Sequence, residues 1–254
     1  MKLQIIGTAS AKEELNRFHS SFIISSPDGN ILFDAGDGIS QALLSAGVNF
    51  NSIESIVISH FHSDHIAGLP LLITQMKISR RKKPLKIFVP SALLKNMNQL
   101  LNLQYIFPEK TDFQISVLPF HYEKHFSPDN IIGILPRKNS HVTNKYKIPS
   151  EKNIPFESVG FLIADNKTKL YYTGDVANSG ELNLFEDKNP THILTEAFHI
   201  SIEEIISFYS QSPVSKIYVS HYASEIIPGF KLKVNKEELQ EKIILLTDGE
   251  TVEL

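Results

Sequence analysis

Short apolar runs rich in β-branched and aromatic residues recur along the chain, and longer stretches with apolar positions every three or four residues fall between them. The runs at 3–6, 21–24, 31–33, 53–58, 86–89, 113–118, 131–135, 159–164, 170–172, 192–194, 217–219 and 243–246 read as strands. The spacing predicts helices over 39–46, 69–78, 92–103, 202–210 and 236–242. Pro27-Asp28-Gly29-Asn30 has the composition of a hairpin turn, and Asp165-Asn166-Lys167-Thr168 repeats the arrangement, so each half opens on a hairpin-like unit. The polar, lysine-rich segment 136–157, with Pro149 and Pro155, is expected to be a loose loop facing substrate. A single domain over 1–254 accommodates all of this.

Composition narrows the chemistry. The 254 residues are 42% hydrophobic, enough for one large core. There is no cysteine, so disulfides and thiolate-bound metals are excluded and any metal must be held by imidazole and carboxylate. That ligand set suits zinc, manganese or iron. A net charge of -3 argues against a surface coated with basic residues, although Arg80-Arg81-Lys82-Lys83, with Lys77 and Lys86, forms a local run that would either contact phosphates or be a solvated loop. The apolar start Met1 to Ala9 is cut short by Lys12, Glu13 and Glu14, and no stretch is long enough to span a bilayer, so a cytoplasmic protein without membrane contact is expected.

The densest candidate chemistry is Ser59-His60-Phe61-His62-Ser63-Asp64-His65, between the strand at 53–58 and a helix beginning near Gly68. One histidine is usually a surface or satisfied core residue. Three with an aspartate at the carboxyl end of a strand, where α/β proteins gather ligands, are hard to explain structurally, because buried polar groups without partners are costly.

This His-x-His-x-Asp-His pattern resembles the second motif of the metallo-β-lactamase superfamily, and matches to the other motifs follow in order. Phe33-Asp34-Ala35-Gly36-Asp37-Gly38 looks like the first, in which Asp34 orients metal-site histidines. His141 stands where the third-motif ligand is expected, Tyr172-Thr173-Gly174-Asp175 matches the fourth and Val219-Ser220-His221-Tyr222 the fifth. The resemblance implies a four-layer αββα sandwich: two mixed sheets face to face, helices outside, and metals at one edge. It also implies two divalent ions, zinc first and manganese or iron as alternatives, one held by His60, His62 and His141, the other by Asp64, His65 and His221, with Asp175 shared. A hydroxide bridging them would be the nucleophile.

Within the superfamily the chain is similar to ribonuclease Z over nearly its whole length: Gly7-Thr8-Ala9-Ser10, the stretch from Ser59 to Pro70, and Thr247-Asp248-Gly249-Glu250 all have counterparts. Glu196 and His199 resemble the glutamate and histidine which that family uses beside its metals, and by that likeness His199 would assist the leaving group while Asp64 positions or deprotonates water. Between His141 and Asp175 there is no room for the long arm that grips transfer RNA, and no arginine follows Phe161. The implied protein is a homodimeric phosphodiesterase acting on RNA, a cyclic nucleotide or a smaller phosphodiester. An arylsulfatase-like or lactonase-like ester hydrolase, or a non-catalytic binding protein, are the alternatives. His19, His121, His125 and His192 are expected to be structural or surface residues.

Overall fold

The computed structural model describes residues 1–142 and 154–254. Seven strands form one sheet: β1 (Lys2–Gly7), β2 (Ser21–Ser26), β3 (Gly29–Phe33), β4 (Ile53–Val57), β5 (Leu85–Pro90) and β6 (Ile115–Phe120) lie in chain order, with the C-terminal β13 (Thr251–Glu253) outside β1. Six form the other: β7 (Gly133–Lys138), β8 (Val159–Ala164), β9 (Lys169–Tyr172), β10 (His192–Glu196), β11 (Lys216–Ser220) and β12 (Ile243–Leu245). Each strand read from the sequence has its counterpart. The three-residue β13, too short to show a period, was not expected.

Side chains alternate across each strand, and the alternation creates three apolar layers. Leu3, Phe22, Phe33 and Phe88 of the first sheet meet Phe161, Leu170, Tyr172 and Tyr218 of the second in the central layer. There Phe22 stacks on Phe33 at 4.7 Å and Tyr172 meets Phe22 edge-on at 4.8 Å. Each fully buried aromatic of this kind contributes roughly 1.5–3 kcal/mol. The opposite face of the first sheet, with Ile23, Leu32, Ile56 and Ile87, packs on α1 (Ile39–Ser45), α3 (Leu69–Ile78) and α4 (Leu94–Leu103). The opposite face of the second, with Leu162, Ile193, Ile217 and Val219, packs on α5 (Ile202–Gln211) and α6 (Ile227–Lys236). Helix, sheet, sheet, helix is the αββα sandwich.

Three expectations need correction. The helix expected over 236–242 lies earlier, at Ile227–Lys236, with Pro228 and Gly229 in its first turn. In the first helical turn proline gives up no hydrogen bond, so the helix starts there and ends before Glu238, whose φ is 55°. The loop expected over 136–157 is strand as far as Lys138, paired to β8, and its part at 143–153 lies outside the described residues. The basic run is not uniformly solvated: Arg81 is buried, donating from Nε to the Lys83 carbonyl at 2.7 Å and from its two terminal nitrogens to the Phe50 and Pro84 carbonyls at 3.2 and 2.6 Å. Those bonds make it a cross-link between loops rather than a phosphate contact. Arg80, Lys82 and Lys83 are exposed. No described helix is long and apolar enough to cross a membrane.

Strand direction places the candidate site. β3 to β6 run parallel, as do β9 to β12. β7 is antiparallel to β8 and β8 to β9, so β7 runs the same way as β9. The loops leaving β4, β7, β9, β10 and β11 therefore emerge at carboxyl ends on one edge, as ligand-binding loops of α/β sheets do.

Candidate metal centre

After β4 the backbone is extended at His62 and turns helical at Ser63, opening the short α2 (Ser63–Ile66). Two residues apart on extended chain, His60 and His62 face the same way. The turn then brings Asp64 and His65 back toward them. This tight reversal needs Gly36, since a Cβ there would stand 1.9 Å from the Asp64 carbonyl oxygen. The other requirement falls on Gly174, whose φ of 58° lets the chain leave β9 and present Asp175.

Eight donor atoms fall into two groups that share Asp175, the atoms of each group lying within 4.8 Å of one another. In the first, His62 Nδ1 is 2.9 Å from His60 Nε2 and 3.3 Å from His141 Nε2, while Asp175 Oδ2 is 3.9 Å and 3.5 Å from those two Nε2 atoms. In the second, Asp64 Oδ2 is 3.5 Å from His65 Nε2 and 3.2 Å from His221 Nε2, and Asp175 Oδ1 is 3.2 Å and 3.4 Å from the same nitrogens. Ligands about 2.05 Å from a tetrahedral zinc ion stand about 3.3 Å apart. Both groups have that spacing, and Asp175 offers one oxygen to each.

The tautomers give a second test of fit. Asp34 is fully buried and accepts four bonds: from the Ser59 amide at 2.7 Å, the Ser59 hydroxyl at 2.8 Å, the Tyr172 hydroxyl at 2.8 Å and His65 Nδ1 at 3.0 Å. With the His65 proton fixed on Nδ1, its Nε2 lone pair faces the centre, where that atom has no hydrogen-bond partner. Ser59, having given its own proton to Asp34, accepts from His60 Nδ1 at 3.0 Å, and the Val176 carbonyl lies 3.4 Å from His141 Nδ1. Three imidazoles thus turn basic Nε2 atoms toward shared points, as metal-binding histidines do. The residues fit a pair of divalent cations.

Electrostatics agree. Burial works against a charged His65 imidazole, yet the Asp175 and Asp34 carboxylates outweigh it and hold its pKa well above the ordinary range. His221 is likewise raised against the effect of burial, by Asp175 and Asp64. Asp175 is held well below the carboxylate range despite burial by His221 and His65, and Asp64 is lowered, again despite burial, by the same two rings beside it. His60, buried among other imidazoles, is pushed down.

Glu196, at the end of β10, has both oxygens occupied. Oε1 accepts from the Val176 amide at 3.0 Å and His199 Nδ1 at 2.8 Å, and Oε2 from the Phe198 and His199 amides at 2.8 and 2.6 Å. It lies close to His199 and His221, but with four donors it is placed to clamp the loop and aim His199 rather than to ligate. The His199 ring is 4.6 Å from that of His141 and 6.1 Å from that of His221. Ser201 does cap α5, through a capping box with Glu204.

Two positioning residues escaped sequence reasoning. Asn139 donates to the Thr173 and Asp175 carbonyls at 3.2 and 2.9 Å and accepts from the His141 amide at 3.3 Å. Glu181 accepts from the Ser140 amide at 2.7 Å, the Ser140 hydroxyl at 2.5 Å and the Ala177 amide at 2.8 Å. Together they tie the loop of His141 to the loop of Asp175. Their only sequence signal is polarity next to a candidate ligand. Of the remaining histidines, His19 is buried against the Ser10 carbonyl at 2.8 Å, His192 stacks on Tyr218, and His121 and His125 are exposed.

Comparison with known proteins follows the same lines. The family model described as anti-Pycsar protein Apyc1 matches residues 1–243. Ribonuclease Z of Agathobacter rectalis is 38% identical over 96 residues, which are 38% of this chain and 32% of that protein. Ribonuclease Z of Methanococcus maripaludis is 34% identical over 133 residues, 51% of this chain and 42% of that protein. The chain thus spans less than half the length of these curated relatives. Among solved structures, the short form of human tRNase Z superposes with a TM-score of 0.74 at 18% identity, covering 100% of this chain and 99% of its own. The metallo-β-lactamase fold protein YhfI of Bacillus subtilis gives 0.75 at 18% identity, covering 99% of each chain. Zinc-bound PqqB of Methylobacterium extorquens gives 0.77 at 14%, covering 100% of each. The chain therefore has the metallo-β-lactamase fold, is ribonuclease Z-like in sequence, and belongs to the anti-Pycsar protein Apyc1 family.

Proposed function

We propose that this protein is a metal-dependent phosphodiesterase whose two divalent cations, zinc for preference, are held by His60, His62 and His141 on one side and Asp64, His65 and His221 on the other, with Asp175 between. The observation that carries the reading is the doubled set of nitrogen and carboxylate donors at tetrahedral spacing. The likeness to ribonuclease Z supports phosphodiesters, RNA among them, as the substrate class. Cations bound here would polarise phosphoryl oxygens and supply a nucleophile from water at neutral pH.

The chain's own groups do the rest. Asp64, its Oδ2 beside His65 and His221, orients the attacking water and takes its proton. Glu196 fixes the His199 proton on Nδ1, so a protonated ring presents Nε2–H to the leaving oxygen. Asp34, Asn139 and Glu181 hold the ligands in register. The ribonuclease Z likeness extends the reading to a cytoplasmic homodimer, and light scattering on the purified protein tests the dimer.

The test combines metal analysis with turnover of bis(p-nitrophenyl) phosphate, RNA and a cyclic nucleotide. Hydrolysis should require metal and vanish in Asp64→Ala with the fold retained. His199→Ala should keep its metal and slow by about 10²–10⁴-fold. Protein carrying two ions that turned over a sulfate ester or a lactone but no phosphodiester would refute the reading.

A further inference from the structure

A cavity of about 540 Å³ opens between the 3-10 turn Ser179–Asn183, the following turn Glu186–Lys188 and the helix α5. Its volume lies within the roughly 300–1,000 Å³ of small-molecule sites. None of the residues assigned to the two cations lines it, so the metal centre does not account for it. Its floor is apolar, formed by the buried side chains of Leu182, Ile193 and Val214.

The charge on its walls has one sign. Glu186 and Glu204 line the cavity, and among the described lining residues there is no lysine, arginine or histidine. Neighbouring carboxylates have cations of their own: Asp187 is paired with Arg137 and Lys188, and Glu203 with Lys233. Among the described residues, neither Glu186 nor Glu204 belongs to an ion pair. Glu204 is nonetheless fixed in place, since its Oε2 accepts from the Ser201 amide and hydroxyl at 2.8 and 2.9 Å and its Oε1 from the Ser179 hydroxyl at 2.8 Å. The Ser201 amide and then the two hydroxyls hold its pKa below the ordinary carboxylate value, so its charge is present at neutral pH. With one bond made, Oε1 keeps a lone pair for a further donor.

These surfaces select an occupant. An anion would be repelled, and a neutral molecule would take water from two carboxylates without replacing it. A ligand carrying ammonium groups on an apolar stem satisfies each wall. Its N–H groups meet the carboxylates and the side-chain carbonyl oxygens of Asn183, Asn189 and Gln211, while its methylenes lie on the floor. The half-buried Phe208 ring adds a surface that attracts a cation.

We propose that this cavity binds a small aliphatic diamine, with one ammonium group at Glu204 and the other at Glu186. The site shares no residue with the metal centre and stands whether or not the phosphodiesterase reading does.

The test is calorimetric titration of the full chain with diamines of three to six methylene groups, beside pentane-1,5-diol and pentanedioate as neutral and anionic counterparts. At least one diamine should bind saturably, and neither counterpart should. Glu186 is exposed, and glutamine at position 204 still serves the capping box, so Glu186→Gln and Glu204→Gln should both fold, as circular dichroism can verify. Each should weaken diamine binding by about ten-fold or more, the effect of losing a charge-assisted hydrogen bond. Ser207→Lys, which sets a competing ammonium group on the cavity wall from an exposed helix position, should abolish binding. Failure of every diamine to bind, equal binding by the diol, or equal affinity in the wild type and both glutamine variants would overturn the site. So would binding that disappears when a chelator strips the protein, because the diamine would then be sitting on the cations.

Discussion

Replacing Asp34 with Asn would separate the role of a tautomer from that of a fold. Asp34 sits at φ 59°, in the left-handed region that asparagine tolerates, so the backbone is not strained by the change. The amide oxygen can still accept from the Ser59 amide, now at 2.7 Å. Where Oδ2 accepts from the Ser59 and Tyr172 hydroxyls and from His65 Nδ1, an NH₂ group would instead donate. The hydroxyls can rotate to accept. The imidazole can accept only by moving its proton to Nε2, the atom that faces the centre, where it would block coordination. Losing charge-assisted bonds in favour of neutral ones should cost about 1–3 kcal/mol of stability, measurable by urea denaturation. The larger effect should fall on metal: affinity at the site of Asp64, His65 and His221 is expected to drop by about 10–100-fold, as when supporting partners of ligating histidines are removed, with the site of His60, His62 and His141 less affected. Competition with a chelator, read by elemental analysis, gives both occupancies. A folded Asp34→Asn protein holding both ions as tightly as the wild type would refute the tautomer argument.

Other consequences can be checked in the same preparations. Glu181→Gln should loosen the tie between the two loops and weaken retention of the cation at His141 by about 10–100-fold, and unchanged chelator resistance would refute that role. Arg81→Ala should strip three loop carbonyls of their donor and cost about 2–4 kcal/mol in urea denaturation, while leaving the salt dependence of substrate binding unchanged. A weakened salt dependence would restore Arg81 as a phosphate contact. The raised pKa values of His65 and His221 mean that protons compete with cations in the chelator-stripped chain. Metal uptake should therefore release protons, and affinity should fall as pH drops. These two groups add stability to the stripped chain that is fully present below the ordinary imidazole value of about 6.5 and is lost as pH rises through their folded-state values. Calorimetry in buffers of different ionisation enthalpy measures the release, and proton-independent binding would contradict it.

Much of this architecture is written locally. The short apolar runs at 21–24 and 159–164 mark strands buried on both faces, and the three-to-four-residue spacing between such runs marks helices, whatever their partners are. The cluster from His60 to His65 is legible for a similar reason, since its ligands share one turn of chain. The helix at Ile227–Lys236 was missed because proline and glycine carry opposite meanings inside a helix and in its first turn, and only context distinguishes them. The burial of Arg81 was missed because charge does not reveal that three carbonyls wait for it.

By itself, then, the sequence determined the kind of donor atoms available, the order in which they occur, and the sandwich whose strand ends carry them. Only the tertiary structure decided that His141, 79 positions from His62, approaches it within 3.3 Å, and that Asn139 and Glu181 hold it there. It also decided which imidazole nitrogens face inward, through the hydrogen bonds that His65 donates to Asp34 and His60 to Ser59. The reason is physical: periodicity reports the backbone a residue sits in, whereas coordination depends on distances between strand ends and on where each proton is held, and those exist only once the sheets have packed.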